Sequence, residues 1–432
     1  MRLNRTEWDG GDVVGTARGL RAAQPRPEEV ASAVFEIIDE VARRRDEALR
    51  ALSRRLDGVE RDRDSLRVDA AEIERAVEAT RAEVREAMEL TASNVRAVAE
   101  AERTAISPLE VEAADGRRIQ LVDSPIGAAG IYAPGGRAAY PSSVLMGCIP
   151  ARVAGVERIA VASPPGRDGN VHSAVLAACD VAGVEEVYAI GGAQAITALA
   201  LGTETVAPVD LVAGPGNRYV VEAKRLLSGL VGIDGVAGPT ELVVVADGSA
   251  DPDWVALDLC AQAEHGTDGL LVAISPDAGL IDRLAEQVPE LVSERPSVPD
   301  ATVELLLAPG VDEALELADA LAPEHLELQL EGVDEQTARG RVAGCVFVGP
   351  FAGAAFGDYA AGANHVLPTG EAARFGSPLG VRTFLRRSSI VTLPRAAASA
   401  LAPAVGALAR AEGFPVHAES AEARAVKNAG GA

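Results

Sequence analysis

Four of the five histidines stand beside other groups able to bind a metal or move a proton. In A-Q-A-E-H-G-T-D-G (261–269), Gln262 and His265 are three residues apart in the last turn of a helical stretch and project from one face. An amide oxygen and an imidazole nitrogen both suit zinc. Glu264 points off that face, and Gly266 is placed to end the helix; a capped helix end with surface polar groups is the plain alternative. In A-P-E-H-L-E-L (322–328), Pro323 stops a helix and His325 opens a strand with Leu326 and Leu328 alternating. Adjacent Glu324 and His325 are two groups that can exchange protons near neutrality, although such dipeptides are common.

The third segment, F-G-D-Y-A-A-G-A-N-H-V-L-P-T (356–369), gathers Asp358, Tyr359, Asn364 and His365 among small residues that favour an irregular loop. The last is E-G-F-P-V-H (412–417), where Pro415 predicts an extended link that keeps Glu412 and His417 off a common helix face. Taken singly, it reads as a solvated tail. His172 stands in a helical stretch without polar company and reads as structural.

Two glycine-rich segments, I-Y-A-P-G-G (131–136) and A-G-P-G-N-R-Y (213–219), each follow a strand, and the second opens a helix whose backbone N–H groups suit a phosphate. Neither is a G-x-G-x-x-G, so motif reading alone argues against a nicotinamide dinucleotide. Cys148, Cys179, Cys260 and Cys345 form no C-x-x-C pair and read as core residues.

The elements that must position these groups change character along the chain. Residues 27–105 read as helical: Pro27 suits a first turn, and Val30, Val34, Ile37, Val41 and Leu49 recur on one face. From about Ile119, nine short β-rich runs (RIQLV, AAGIYAP, RIAVAS, EVYAIGG, VDLVAG, ELVVVAD, LLVAIS, VELLLAP and CVFVGP) alternate with helical stretches, which predicts parallel sheets joined by helical crossovers. That is too many strands for one small sheet, and GVAGPTE (235–241) is the seam. The expected organisation is an N-terminal arm (1–26), then a helical segment (27–130) joining the second of two doubly wound α/β domains. Those domains span 131–235 and 236–379, and a small Ala-rich helical module follows at 380–432. No internal repeat is legible.

At 432 residues the chain is too long for one core, and 48% hydrophobic residues are ample for packed domains and exclude the disordered class. No apolar run has transmembrane length and MRLNRTEWDGGDVV lacks a signal-peptide core, which predicts a cytoplasmic protein. Formal net charge is −24, with Lys224 and Lys427 the only lysines, so nucleic acid and anionic membranes are excluded as partners.

Together the segments resemble the histidinol dehydrogenase family. IYAPGG, GGAQAI, AGPGN, AGPTE, QAEHG, APEHLEL, GDYAAGANHVLPT and EGFPVH appear in the family's order across about 120–420. The resemblance implies oxidation of L-histidinol through a bound aldehyde to L-histidine, with two NAD reduced in turn. It implies one zinc per site held by Gln262, His265, Asp358 and His417. The metal would orient the substrate and act as a Lewis acid, while hydride transfer belongs to the nicotinamide. His325 is then the general base, and Glu324 activates the water that hydrates the aldehyde. His365 lines the substrate pocket and Glu412 holds substrate; Thr240 stands where the family often has serine and keeps the hydroxyl. Gln262, His265, His325, Asp358 and His417 also meet the substrate. Tyr132, Gln194 and Asn217 match the positions that meet NAD, and the family's incomplete Rossmann-like domains account for the missing fingerprint. Family members are homodimers, so Glu412 and His417 are expected to serve the partner's site.

Two other classes compete: a zinc hydrolase, which would release product without NADH, and a non-enzymatic relative, which would require a broken Glu324–His325 pair. The acidic composition also fits a protein soluble in high salt, where screening removes self-repulsion. Stability measured by denaturation should then rise steadily with molar salt; indifference to salt would sink that expectation.

Overall fold

A computed structural model describes the whole chain except residues 23, 26, 60–64, 136–138 and 427–432. Gly136 of IYAPGG and Lys427 therefore lie outside the described residues. The strands, in chain order, are β1 (Arg2–Glu7), β2 (Leu109–Glu112), β3 (Arg118–Pro125), β4 (Ala128–Tyr132), β5 (Arg158–Ser163), β6 (Glu186–Ala189) and β7 (Leu211–Ala213). They continue as β8 (Gly232–Ile233), β9 (Glu241–Ala246), β10 (Leu270–Ser275), β11 (Thr302–Leu307), β12 (His325–Gln329), β13 (Cys345–Val348) and β14 (Leu385–Thr392).

The chain divides into two compact units, the first formed by Met1–Glu102 with Ile126–Phe384. It holds two all-parallel sheets, ordered β6-β5-β4-β7-β8 and β1-β11-β10-β9-β12-β13. Apart from β1, the two orders are the same pattern: third, second, first, fourth, fifth. This is a doubly wound topology used twice, a repeat that the residues themselves do not betray. In each sheet the direction of winding reverses beside the first strand, between β4 and β7 and between β9 and β12.

Both faces of the second sheet are covered, which explains its near-continuous apolar strands. Leu242 and Val244 of β9 pack with helices Pro252–Ala263 and Ala278–Ser293, while Val243 and Val245 pack with helices Val13–Arg21 and Val311–Leu321. On one face of the first sheet, Val34, Ile37, Val41 and Leu49 of helix Ala31–Leu52 join Tyr132, Ala160, Ile196 and Val212 in one core.

The observed organisation therefore differs from the expected one in four ways. The N-terminal residues are not an arm, because β1 adds an edge strand to the second sheet beside β11. Helix Ala31–Leu52, expected with the second α/β domain, packs on the first, because its apolar stripe meets that sheet. RIQLV belongs to neither parallel sheet, and after the 3₁₀ turn Val381–Phe384 the chain enters a strand before its Ala-rich helix. Those two segments pair antiparallel as β3 and β14, with β2 completing a three-stranded sheet in order β14-β3-β2.

That sheet belongs to the second unit, which comprises Arg103–Pro125 and the chain from Leu385 onward. Helices Arg395–Ala411 and Pro415–Val426 complete it. Pro415 starts the last helix instead of forcing an extended link, in keeping with proline's tolerance in a first turn. Among the described residues no helix is long and apolar enough to cross a membrane.

Candidate active site

One cavity of about 2310 Å³ collects residues from both sheets of the first unit. It exceeds the roughly 300–1,000 Å³ of an ordinary small-molecule pocket and leaves room for more than one ligand. The first sheet gives it the carboxyl ends of β4 and β7, through Tyr132 and the loop Gly214–Asn217. The second gives it the opposite edge: Thr240 precedes β9, while Glu324 and His325 stand at the start of β12.

At the second-sheet end, helix Val311–Leu321 stops at Ala322, a left-handed residue (φ 47°), and Pro323 leads straight into Glu324. Glu324 and His325 are both buried. The Glu324 carboxylate accepts from the Thr240 hydroxyl at 2.7 Å and from the Glu241 backbone N–H at 2.9 Å. Gln262 donates its amide N–H to the same Thr240 oxygen, so Gln262, Thr240 and Glu324 form a chain of hydrogen bonds. Nδ1 of His325 lies 3.0 Å from the Glu241 carbonyl, which can only accept; Nδ1 therefore carries hydrogen. Nε2 is the ring atom turned to Asp358, 3.5 Å from its Oδ1.

Burial pushes the Glu324 carboxyl up to about 7 although His325 and the Thr240 hydroxyl favour its charged form. Burial works against a charged His325, yet Glu324 and Asp358 outweigh it and hold the imidazole at about 9. The two groups face each other, Oε2 of Glu324 lying 3.5 Å from Nδ1 of His325, and each favours the other's charged form.

Asp358 ends the short helix Ala354–Asp358. Burial disfavours its charge, but His325, His365 and His265 together keep its carboxyl below the usual range. His365 Nδ1 faces the Asp358 carbonyl at 2.6 Å and its Nε2 lies 3.3 Å from the Ser143 hydroxyl. Gln262 is in the last turn of helix Pro252–Ala263; Glu264 caps that helix, so His265 falls just outside it rather than on its face. His265 is open to the cavity, and the water it does lose lowers its pKa.

At the first-sheet end, the Gly192 N–H donates to the Tyr132 hydroxyl at 3.0 Å, and Gln194 donates to Asp57 at 3.1 Å. Burial raises the Asp57 carboxyl to about 6. Asn217 caps helix Arg218–Leu227 by accepting from the N–H groups of Tyr219 and Val220. Gly214 (φ 117°) must be glycine, since a Cβ there would lie 2.1 Å from the Tyr132 carbonyl oxygen. Lys224 lies buried beneath this loop, donates to the Gly214 carbonyl at 3.0 Å and pairs with Asp234, which in turn accepts the Gly214 N–H at 2.8 Å.

The histidinol dehydrogenase family model matches residues 20–425. The chain belongs to the histidinol dehydrogenase family. It is 47% identical over 422 residues to a histidinol dehydrogenase of Moorella thermoacetica, covering 96% of this chain and 98% of that one. It is 43% identical over 433 residues to one from Gluconobacter oxydans, with 99% and 100% covered. The crystal structure of histidinol dehydrogenase from Elizabethkingia anophelis superposes with a TM-score of 0.88 at 29% identity, covering 98% of each chain. Membership in the histidinol dehydrogenase family makes the chain an oxidoreductase.

Seen in that family, Thr240, Gln262, His265, Glu324, His325, Asp358 and His365 come together at one end of the cavity, and Tyr132, Gln194 and Asn217 line the other. Glu412 and His417 lie in the second unit, both exposed, with the His417 ring 5.4 Å from that of Phe414. Among the described residues no three His, Cys, Asp or Glu side chains gather at metal-binding range. Even so, the donors of the first unit suit a divalent ion. Asp358 favours its anion, His265 its neutral ring, and among the described residues no group donates to Oε1 of Gln262. These are the protonation states that a metal requires.

Residue spacing did not reveal Ser143, Asp57, Lys224 or Glu241, because each becomes relevant only through a partner distant in sequence. His172 lies not within a helix, as its sequence context predicts, but at the N-terminus of helix Ser173–Val181, which it caps by accepting the Ala174 N–H. Cys148, Cys179 and Cys260 are buried and Cys345 partly so, all as free thiols.

Two residues beyond His325, Glu327 is fully buried against Asp258, and burial with that neighbouring carboxyl raises it to about 8. A carboxyl raised in the folded state stays protonated there while the unfolded chain releases its proton. Its contribution to stability therefore falls as pH rises from about 4.5 to about 8. Urea denaturation between about pH 5.5 and 8 should cost the parent roughly 1–3 kcal/mol more than Glu327→Gln, whose amide can donate to Asp258. Equal losses would contradict a shared proton.

Proposed function

We propose that this chain oxidises L-histidinol to L-histidine through the enzyme-bound aldehyde, reducing two NAD. The observation that carries the reading is the buried Glu324–His325 pair, placed at one end of a cavity whose other end is a glycine loop at a winding-reversal point. The mouth at β4 and β7 has the usual address of a dinucleotide in such sheets, and Tyr132, Gln194 and Asn217 line it. No sequence fingerprint is needed, because Gly214 and the capped helix after it form the close backbone approach.

Gln262, His265 and Asp358 would hold zinc, with His417 as the fourth protein ligand; bound there, the ion would supply Lewis acidity and orient the amino alcohol. NAD held along Tyr132, Gln194 and Asn217 would supply the hydride acceptor for each oxidation. In its neutral form, which an imidazole held at about 9 reaches as pH rises toward that value, His325 takes the substrate hydroxyl proton at Nε2, its Nδ1–H being fixed on the Glu241 carbonyl. Glu324, kept near neutrality by burial, draws a proton from the water that adds to the aldehyde carbonyl. Once that first proton has passed to solvent, His325 removes the hydrate's hydroxyl proton during the second oxidation. Thr240 ties Gln262 to Glu324, so its hydroxyl links the metal-holding and water-activating groups. His365, braced by Ser143 and the Asp358 carbonyl, walls the substrate pocket.

The exposure of Glu412 and His417 supports a homodimer in which these residues complete the partner's site. Among the alternatives, a zinc hydrolase needs no second cavity end built around a glycine loop.

Purified protein with zinc, histidinol and NAD should produce NADH, followed by absorbance; no zinc-dependent NADH rejects the reading. His325→Asn should lower turnover by about a hundredfold or more yet keep zinc, whereas His265→Asn should lose the metal. Equal zinc loss in both would contradict the assigned roles. A dimer pairing a His417→Asn subunit with a His265→Asn subunit should regain one intact site, and failure to regain activity argues against shared sites.

A further inference from the structure

The N-terminal helix Val13–Arg21 carries none of the residues assigned above, yet its last residue reaches the floor of the catalytic pair. Arg21 is only 10% exposed in its side chain and forms a two-pronged ion pair with Glu241, at 2.5 and 3.0 Å, whose side chain has no exposed surface. The same guanidinium donates to the carbonyl of Leu321 at 3.1 and 2.5 Å. Leu321 is the last residue of the helix that ends just before Glu324, so the cation also faces the negative end of that helix.

Glu241 in turn touches both members of the pair. Its carboxylate accepts the backbone N–H of Glu324 at 3.2 Å, its own N–H donates to the Glu324 side chain at 2.9 Å, and its carbonyl accepts from His325 at 3.0 Å. The Gly370 N–H and the Gln24 amide supply the remaining donors, at 3.0 and 3.5 Å. Removing the cation from beside a carboxylate so placed is strongly destabilising.

We propose that Arg21 is a positioning residue: through the Glu241 carboxylate and the Leu321 carbonyl it fixes where Glu324 and His325 sit for the reaction. This rests on the roles given to that pair under the proposed function. Arg21 touches neither of them, so its effect falls on the turnover step and not on substrate capture or metal content. Lysine keeps the charge but cannot make the planar fork.

The test measures kcat and KM for histidinol, and zinc per protomer, in the full-length enzyme well below its melting temperature. Glu324→Gln is the reference. Arg21→Met should lower kcat per zinc-loaded site by about tenfold to a hundredfold, with KM within about threefold and zinc unchanged. Arg21→Lys should recover part of the loss. Adding Glu241→Gln to Arg21→Met should also raise kcat, because the stranded anion is removed. If Arg21→Met does not fold, the kcat of Arg21→Lys decides, with a fall of about threefold or more supporting the proposal. A merely structural arginine would lower the melting temperature and leave kcat per loaded site within about twofold of the parent, and that result overturns the proposal. Parental kcat in Glu324→Gln instead overturns the role given to Glu324.

Discussion

The Glu241 carboxylate has no exposed surface, and its charge constrains everything built around it. An anion in that position requires cationic and N–H partners from three separate parts of the chain: Arg21 with nearby Gln24, the turn after Leu321, and the segment at Gly370. The same residue uses its backbone to orient Glu324 and His325, so the charge balance of the floor and the geometry of the pair cannot vary independently. This explains why the N-terminal residues are folded onto the second sheet. Strand β1 secures the edge, and the helix that follows brings a guanidinium beneath the start of β12.

The repeated strand order gives this floor its place. A doubly wound sheet normally offers ligands the crevice at its carboxyl edge, where winding reverses. The first sheet does so, through Tyr132 and Gly214. The second offers the amino ends of β9 and β12 to the same cavity, so its ionisable residues lie where strands begin. Backbone N–H groups at strand starts are still unpaired by the ladder, and Glu324 and Glu241 use them as partners. Under the proposed function cofactor and substrate must meet face to face, and opposed edges of two like sheets within one unit would allow it.

Parallel strands buried on both faces announce themselves as apolar runs, so most of both sheets was readable along the chain. The strand at 385–392 was not, since LRRSSIVT is polar and largely exposed and has no helical or apolar signature of its own. β1 escaped for the same reason, being an exposed edge strand with Arg and Asn on it. The histidines could be singled out because their side chains are rare and sit at element ends, but their spacing gave no roles; those came from the motifs taken jointly. Arg21 and Glu241 were illegible because Arg and Glu are abundant on the surface, and only burial distinguishes this pair. Burial depends on contacts 220 residues apart.

The other end of the cavity repeats the device with a different cation. Lys224 is the sole lysine among the described residues of a chain otherwise supplied with arginine, and it is almost fully buried. Its ammonium meets the Gly214 carbonyl and Asp234 side by side, which suits a compact charge with donors in three directions better than a planar fork. Asp234 returns to the Gly214 N–H, so both polar groups of one glycine peptide are pinned from beneath by an ion pair. Gly214 has no Cβ to hold it in place and adopts a backbone angle that few residues tolerate, so the pairing replaces the packing that a side chain would have given. In both halves of the cavity a buried ion pair, Arg21–Glu241 in one and Lys224–Asp234 in the other, sets the geometry of groups that face the ligand. Preorganisation of this kind keeps its strength in a strongly acidic protein, because buried pairs are screened far less by salt than the surface charges around them.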